Sequence, residues 1–86
     1  MSSAEKLLAR MKRTKAGWTH KDLDTLYRGF GFEADEDGPH TVYVHSKYPQ
    51  LRASVTRSRT VAVGYVQHAL KLIEQLQDLE RKETAQ

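Results

Sequence analysis

The chain has 86 residues, no cysteine and a formal net charge of +3. Its length suits one small domain, and the lack of cysteine excludes disulfides and cysteine-ligated metal sites. No apolar run approaches the roughly 18–20 residues that cross a bilayer, and no secretory signal pattern opens the chain, so we expect a soluble, cytoplasmic protein without a membrane partner.

The first two predicted elements are helices. Apolar residues recur at helical spacing over residues 4–13, with charged side chains between them, which predicts a short amphipathic helix. We interpret residues 1–16 as an N-terminal helical extension and residues 17–80 as the domain proper. Thr19 has the position of an N-cap, and the apolar stripe that follows it predicts a second helix ending near Gly29.

Three short strands are predicted next. Residues 32–36 alternate in hydrophobicity, residues 40–45 are rich in β-branched and aromatic side chains, and residues 51–56 alternate cleanly. A turn over residues 37–39 separates the first two strands. Because the strands are short and consecutive, an antiparallel meander is the expected topology.

The last predicted element is a long helix over residues 61–80, followed by a frayed tail over residues 81–86. The predicted fold is therefore α+β, in the order α-α-β-β-β-α, with a three-stranded antiparallel sheet and helices on one face.

His40 is the residue best placed for chemistry, because it follows the Gly38–Pro39 turn and begins a strand. An imidazole titrates near pH ~6.5, which suits proton transfer at neutral pH. RNA cleavage requires a base that removes the 2′-hydroxyl proton and positive charge near the phosphate. Arg57 and Arg59, shortly before a helix N-terminus, are candidates to supply that charge. A plain turn histidine is the alternative.

The remaining polar and aromatic residues give weaker signals. His20, His45 and His68 are scattered over different elements and show no metal-ligand spacing. Tyr43 and Tyr48 are predicted either to stack on RNA bases or to pack in the structure. No phosphate loop, nucleophile elbow or dinucleotide motif is present, so neither a metal nor another cofactor is expected.

The segment Gly38-Pro39-His40-Thr41-Val42-Tyr43-Val44-His45 resembles the HicA toxin family. It combines the motifs Gly-x-His and His-x-x-Tyr-x-His after a capped helix. The alternating strand over residues 51–56 and the helix after it are also similar to that family. The similarity covers roughly residues 17–77. This chain differs from the common family pattern at Pro39, Ser46 and Arg57-Ser58.

This resemblance implies a double-stranded-RNA-binding-like fold and a metal-independent endoribonuclease that cleaves mRNA and inhibits translation. It implies that His40 is the catalytic residue and that Gly38 shapes the turn presenting it. The implied protein partner is a HicB-type antitoxin. We add Lys47 and Arg52 to Arg57, Arg59, Tyr43 and Tyr48 as candidate RNA-binding residues.

Two other functions fit the same sequence. A non-catalytic RNA-binding module of this fold would use the basic residues without cleaving RNA, and its affinity would fall steeply with salt. A protein-interaction domain would use the helix at residues 4–13 and the long final helix.

Overall fold

A computed structural model describes residues 3–84, apart from the side chain of Asp37. It confirms the predicted α+β fold and the order α-α-β-β-β-α. Three helices and three strands make up the described chain: α1 (Ser3–Arg13), α2 (His20–Gly29), β1 (Phe32–Asp37), β2 (His40–His45), β3 (Arg52–Thr56) and α3 (Val63–Thr84).

The second helix begins with the predicted cap. The Thr19 side chain accepts a hydrogen bond from the Asp22 backbone N–H, and the Asp22 carboxylate accepts one from the Thr19 backbone N–H. This reciprocal pair satisfies two backbone donors that the first helical turn would otherwise leave unpaired. The chain then passes through Gly31, whose φ of +92° favours glycine, and enters β1.

The sheet is an antiparallel meander in the order β1-β2-β3. One face is buried beneath the helices and carries Phe32, Tyr43, Ala53 and Val55. The opposite face carries exposed Glu33, Asp35, Arg52 and Ser54. This alternation follows from the two-residue period of a strand, and it confirms that the helices cover one face of the sheet.

The first helix is part of the core rather than an extension. Leu7, Leu8 and Met11 pack in the same apolar cluster as residues of the sheet and of the other helices, and Met11 has no exposed surface. The predicted boundary at residue 16 therefore does not separate two structural units. Residues 1 and 2 of the predicted extension lie outside the described residues.

The last helix is longer at its C-terminal end than predicted. It runs to Thr84, so the frayed tail predicted from residue 81 is wrong for residues 81–84. Lys47 and Tyr48 both hydrogen bond to the Glu83 carboxylate, which ties the last turn to the loop after β2. Residues 85 and 86 lie outside the described residues. None of the helices in the described part of the chain is long and apolar enough to span a membrane.

Candidate active site

The turn before His40 is a two-residue hairpin loop formed by Gly38 and Pro39. Gly38 has a φ of +61°, and the proline ring fixes φ near −65° at the second position. A positive φ followed by a proline-compatible φ is the pattern of a type II′ turn, whose twist matches antiparallel strands. The loop therefore holds the start of β2 in a defined position.

His40 lies exposed at the first position of β2, opposite Thr56 of β3. Alternation along β2 places His40 on the face of the sheet that the helices leave open, because Thr41, Tyr43 and His45 face the core. Directly paired residues project to the same face, so the Thr56 side chain is a close neighbour of the imidazole.

A tyrosine reaches this region from the first turn of α3. The Tyr65 hydroxyl and Thr56 Oγ1 share a hydrogen bond of 2.7 Å, and both residues are half-buried. The pair brings a phenolic hydroxyl to the strand position opposite His40. No local pattern in the sequence indicates a site role for Tyr65, because the link between α3 and β3 depends on how the helix packs.

Arg57 is anchored to the turn that precedes His40. Its backbone N–H donates to the Pro39 carbonyl at 2.9 Å, and its Nη2 donates to the Gly38 carbonyl at 2.5 Å. Its Nη1 forms an ion pair of 3.2 Å with Glu36, in which both side chains are well exposed. The guanidinium is thus fixed at the same end of the sheet as His40, with Glu36 as a competitor for any bound phosphate.

A second histidine lies on the core side of the same strand end. His20 Nε2 and Thr41 Oγ1 are 2.9 Å apart and share a hydrogen bond. Thr41 follows His40 directly but points to the other face of the sheet. Nothing in the sequence indicated a role for His20 at this end of the sheet, and the structure shows that its ring hydrogen bonds to the strand that carries His40.

The predicted base-stacking role of Tyr43 is wrong, because its ring has no exposed surface. Its hydroxyl donates a hydrogen bond of 2.8 Å to the Asp24 carboxylate. Burial and this bond raise the pKa of Tyr43 above the usual range of a phenol. The prediction is also wrong for Tyr48, whose ring is buried and whose hydroxyl donates to Glu83.

Lys47 and Arg52 lie at the opposite end of the sheet from His40. Lys47 follows β2, and its ammonium forms an ion pair of 2.8 Å with Glu83, which raises the Lys47 pKa. Arg52 pairs with Val44, which is about 13 Å along the strand from His40. Arg59 is exposed in the loop between β3 and α3. The structure therefore places Arg57 next to the His40 turn and places Lys47 and Arg52 far from it.

The other two histidines differ in role. His45 is buried, its Nδ1 accepts hydrogen bonds from the backbone N–H groups of Lys47 and Tyr48, and its Nε2 donates to the Phe30 carbonyl at 3.0 Å. It is a structural residue that closes the loop after β2. His68 is exposed on α3 and lines an open depression with Ser54 and Tyr65.

Among the residues that the structure describes, the histidines and carboxylates form no group of three or more that could hold a metal ion. Comparison of the chain with protein-family models, curated proteins and solved structures found no match.

Proposed function

We propose that this protein is a metal-independent endoribonuclease of the HicA type that cleaves mRNA in the cytoplasm, with His40 as its general base. The observation that supports this most directly is the position of His40. It is an exposed imidazole held by a rigid turn, and a guanidinium is anchored to that same turn. The α-β-β-β-α portion of the fold, from α2 to α3, agrees with the layout that the family resemblance implies.

The chemistry requires only groups that lie at this end of the sheet. His40 takes the proton from a ribose 2′-hydroxyl, and the 2′ oxygen then attacks the adjacent phosphorus. The bond between phosphorus and the 5′ oxygen breaks, and that oxygen takes a proton from a water molecule. The proton held by His40 neutralises the hydroxide left behind, which restores the neutral imidazole. The products are a 2′,3′-cyclic phosphate and a 5′-hydroxyl end, so no metal or cofactor enters the reaction.

Arg57 supplies the positive charge in this scheme. The pentacoordinate phosphate carries more negative charge than the ground state, and fixed donors stabilise it without reorganising. The Arg57 guanidinium is held at the turn by a backbone carbonyl, and its ion pair with Glu36 is exposed, so a phosphate can displace the carboxylate. Arg59 follows two residues later on the same loop and is a second source of charge for the RNA backbone.

The test is cleavage of a long unstructured RNA in EDTA by three purified proteins: wild type, His40→Ala and His68→Ala. His68 is the matched control, because it is also an exposed histidine and lies on another element. We expect cleavage by the wild type and by His68→Ala, with cyclic-phosphate ends, and none by His40→Ala. Equal cleavage by His40→Ala would overturn the assignment, and salt-sensitive binding without cleavage would favour the non-catalytic module.

The open face of the sheet suits a protein partner of the HicB type. Val42 and Val44 are half-buried on the same face as His40, and charged residues flank them. An antitoxin that covers this face would block access to His40. Coexpression with a HicB-type protein should relieve growth inhibition, and Val42→Glu should weaken that relief while leaving cleavage intact.

A further inference from the structure

The positive charge of the protein is concentrated in its first helix and the loop after it. The chain has fourteen Lys and Arg against eleven Asp and Glu. Residues 3–17 contain five basic side chains and one acidic, which leaves nine basic and ten acidic in the rest of the chain. The rest of the chain therefore carries a slight negative charge. An RNA strand would be attracted mainly to α1 and its loop.

A cavity lies where this charge meets the single tryptophan. It is open, has a volume of about 400 Å³ and contains two arginines. The Arg10 guanidinium lies over the Trp18 ring, 5.2 Å from its centroid, and the indole Nε1 donates to the Thr14 carbonyl at 2.6 Å. Within residues 3–84, neither Arg10 nor Arg13 has an ion-pair partner. The lining residues are Arg10, Arg13, Thr14, Ala16, Gly17 and Trp18.

The loop that forms this cavity is joined to the end of the molecule that carries His40. The Val61 backbone N–H donates to the Trp18 carbonyl at 2.9 Å, and Val61 lies in the same loop as Arg57 and Arg59. Two residues after Trp18, His20 bonds to Thr41, the neighbour of His40. Hydrogen bonds therefore link the loop that lines the cavity to the end of the sheet that carries His40.

We infer that this cavity is a second binding site for single-stranded RNA. Arg10 and Arg13 bind a backbone phosphate, and a base flanking that phosphate packs against the Trp18 indole. Guanidinium groups suit phosphate geometry, and base–aromatic packing is tolerant of sequence. The site rests on the proposed function, because it supplies the attraction for the strand that His40 cuts.

Binding can be measured separately from cleavage. A 2′-O-methyl oligonucleotide has the RNA backbone but lacks the attacking hydroxyl, so it binds without being cut. Because Trp18 is the only tryptophan in the chain, its fluorescence reports occupancy of this cavity directly. We expect the wild-type protein to show a saturable change in tryptophan emission on titration with the oligonucleotide.

The variant that tests the site is Arg10→Ala/Arg13→Ala. Its affinity should fall about tenfold, and the slope of log K against log salt should flatten by about 1.4, which corresponds to two phosphate contacts on a single strand. The matched control is Arg81→Ala/Lys82→Ala, which removes the same charge from the far end of α3. Arg13→Ala alone should give part of the loss, and its exposed side chain makes misfolding a poor explanation.

The outcomes separate this inference from the proposed function. A tryptophan response without cleavage of ordinary RNA would leave the second site standing and overturn the nuclease. Cleavage with a silent tryptophan, and with equal affinity in both double variants, would leave the nuclease standing and overturn the second site. Equal loss of affinity in both double variants would also overturn it, because the effect would then be one of net charge.

Discussion

Tyr27 and Tyr43 stack in the core with ring centroids 4.6 Å apart and planes at 21°, yet their hydroxyls differ in hydrogen bonding. The Tyr43 hydroxyl donates to the Asp24 carboxylate, whereas among the described residues the buried Tyr27 hydroxyl has no hydrogen-bond partner. Two rings in one stack thus carry one satisfied and one unsatisfied polar atom. A buried hydroxyl without a partner reduces stability, while a hydroxyl bonded to a carboxylate adds to it.

Replacing each tyrosine by phenylalanine should therefore have opposite effects. Tyr27→Phe removes an unsatisfied hydroxyl and should leave the free energy of unfolding unchanged or raise it by up to about 1 kcal/mol. Tyr43→Phe removes the bond to Asp24 and should lower it by about 1–2 kcal/mol. Urea denaturation of the two variants gives the comparison, and equal destabilisation by both would contradict this account of the stack.

The same two phenols predict a loss of stability at alkaline pH. Burial raises the pKa of Tyr27, and burial together with the Asp24 bond raises that of Tyr43, relative to a phenol in the unfolded chain. A raised folded-state pKa means that the stabilisation is complete below about pH 10, the unfolded value, and is lost as the pH rises above it. The urea midpoint should fall between pH 9 and 11, and this fall should be smaller in Tyr27→Phe/Tyr43→Phe. If the urea midpoint of that double variant fell by the same amount, the loss of stability at alkaline pH would come from groups other than these two phenols.

His45 should matter for folding rather than for chemistry. Both of its ring nitrogens are bonded to backbone groups, and a Cβ on Gly31 would lie only 2.9 Å from its Nε2. His45→Phe leaves the Phe30 carbonyl and two N–H groups without partners, so it should lower the free energy of unfolding by about 2–3 kcal/mol. His40→Ala, at the exposed end of the same strand, should change it by less than about 0.5 kcal/mol. Thermal unfolding of both variants measures this difference in stability. Equal destabilisation by His45→Phe and His40→Ala would contradict the structural role of His45.

Local patterns in the sequence predict much of this fold. The Thr19 N-cap and the alternation along residues 51–56 depend on neighbours within a few residues, and the structure shows both as predicted. The contact between Tyr48 and Glu83 joins residues 35 positions apart, and no local sequence pattern near either residue indicates it. For this reason the sequence suggested an aromatic available for RNA where the structure has a buried ring.

The contact of Glu83 with Lys47 and Tyr48 should make the end of α3 sensitive to acid. Hydrogen bonds from Lys47 and Tyr48 lower the pKa of Glu83 below its ordinary value of 4.5. A lowered folded-state pKa means that the stabilisation is present above the ordinary value and is lost as the pH falls through the folded-state value. Hydrogen exchange of the amides at residues 81–84 should therefore show more opening at pH 3 than at pH 6. In Glu83→Gln these amides should open to the same extent at both pH values. If their opening in the wild-type protein did not depend on pH, the role of this contact would be contradicted.

Because Glu36 and Arg57 form an ion pair, substitutions of these two residues should have opposite effects on the rate of RNA cleavage. Arg57→Ala should lower kcat/KM about tenfold, which corresponds to the loss of ~1.4 kcal/mol of stabilisation of the transition state. Arg57→Lys should recover only part of this, because an ammonium does not have the guanidinium's fork of donors. Glu36→Gln removes the carboxylate that competes for Arg57 and should raise kcat/KM. The control is Glu33→Gln, which makes the same change in charge at the other end of β1, where Glu33 pairs with Val44. An equal gain in both glutamine variants would mean that Glu36 acts through net charge and not through Arg57.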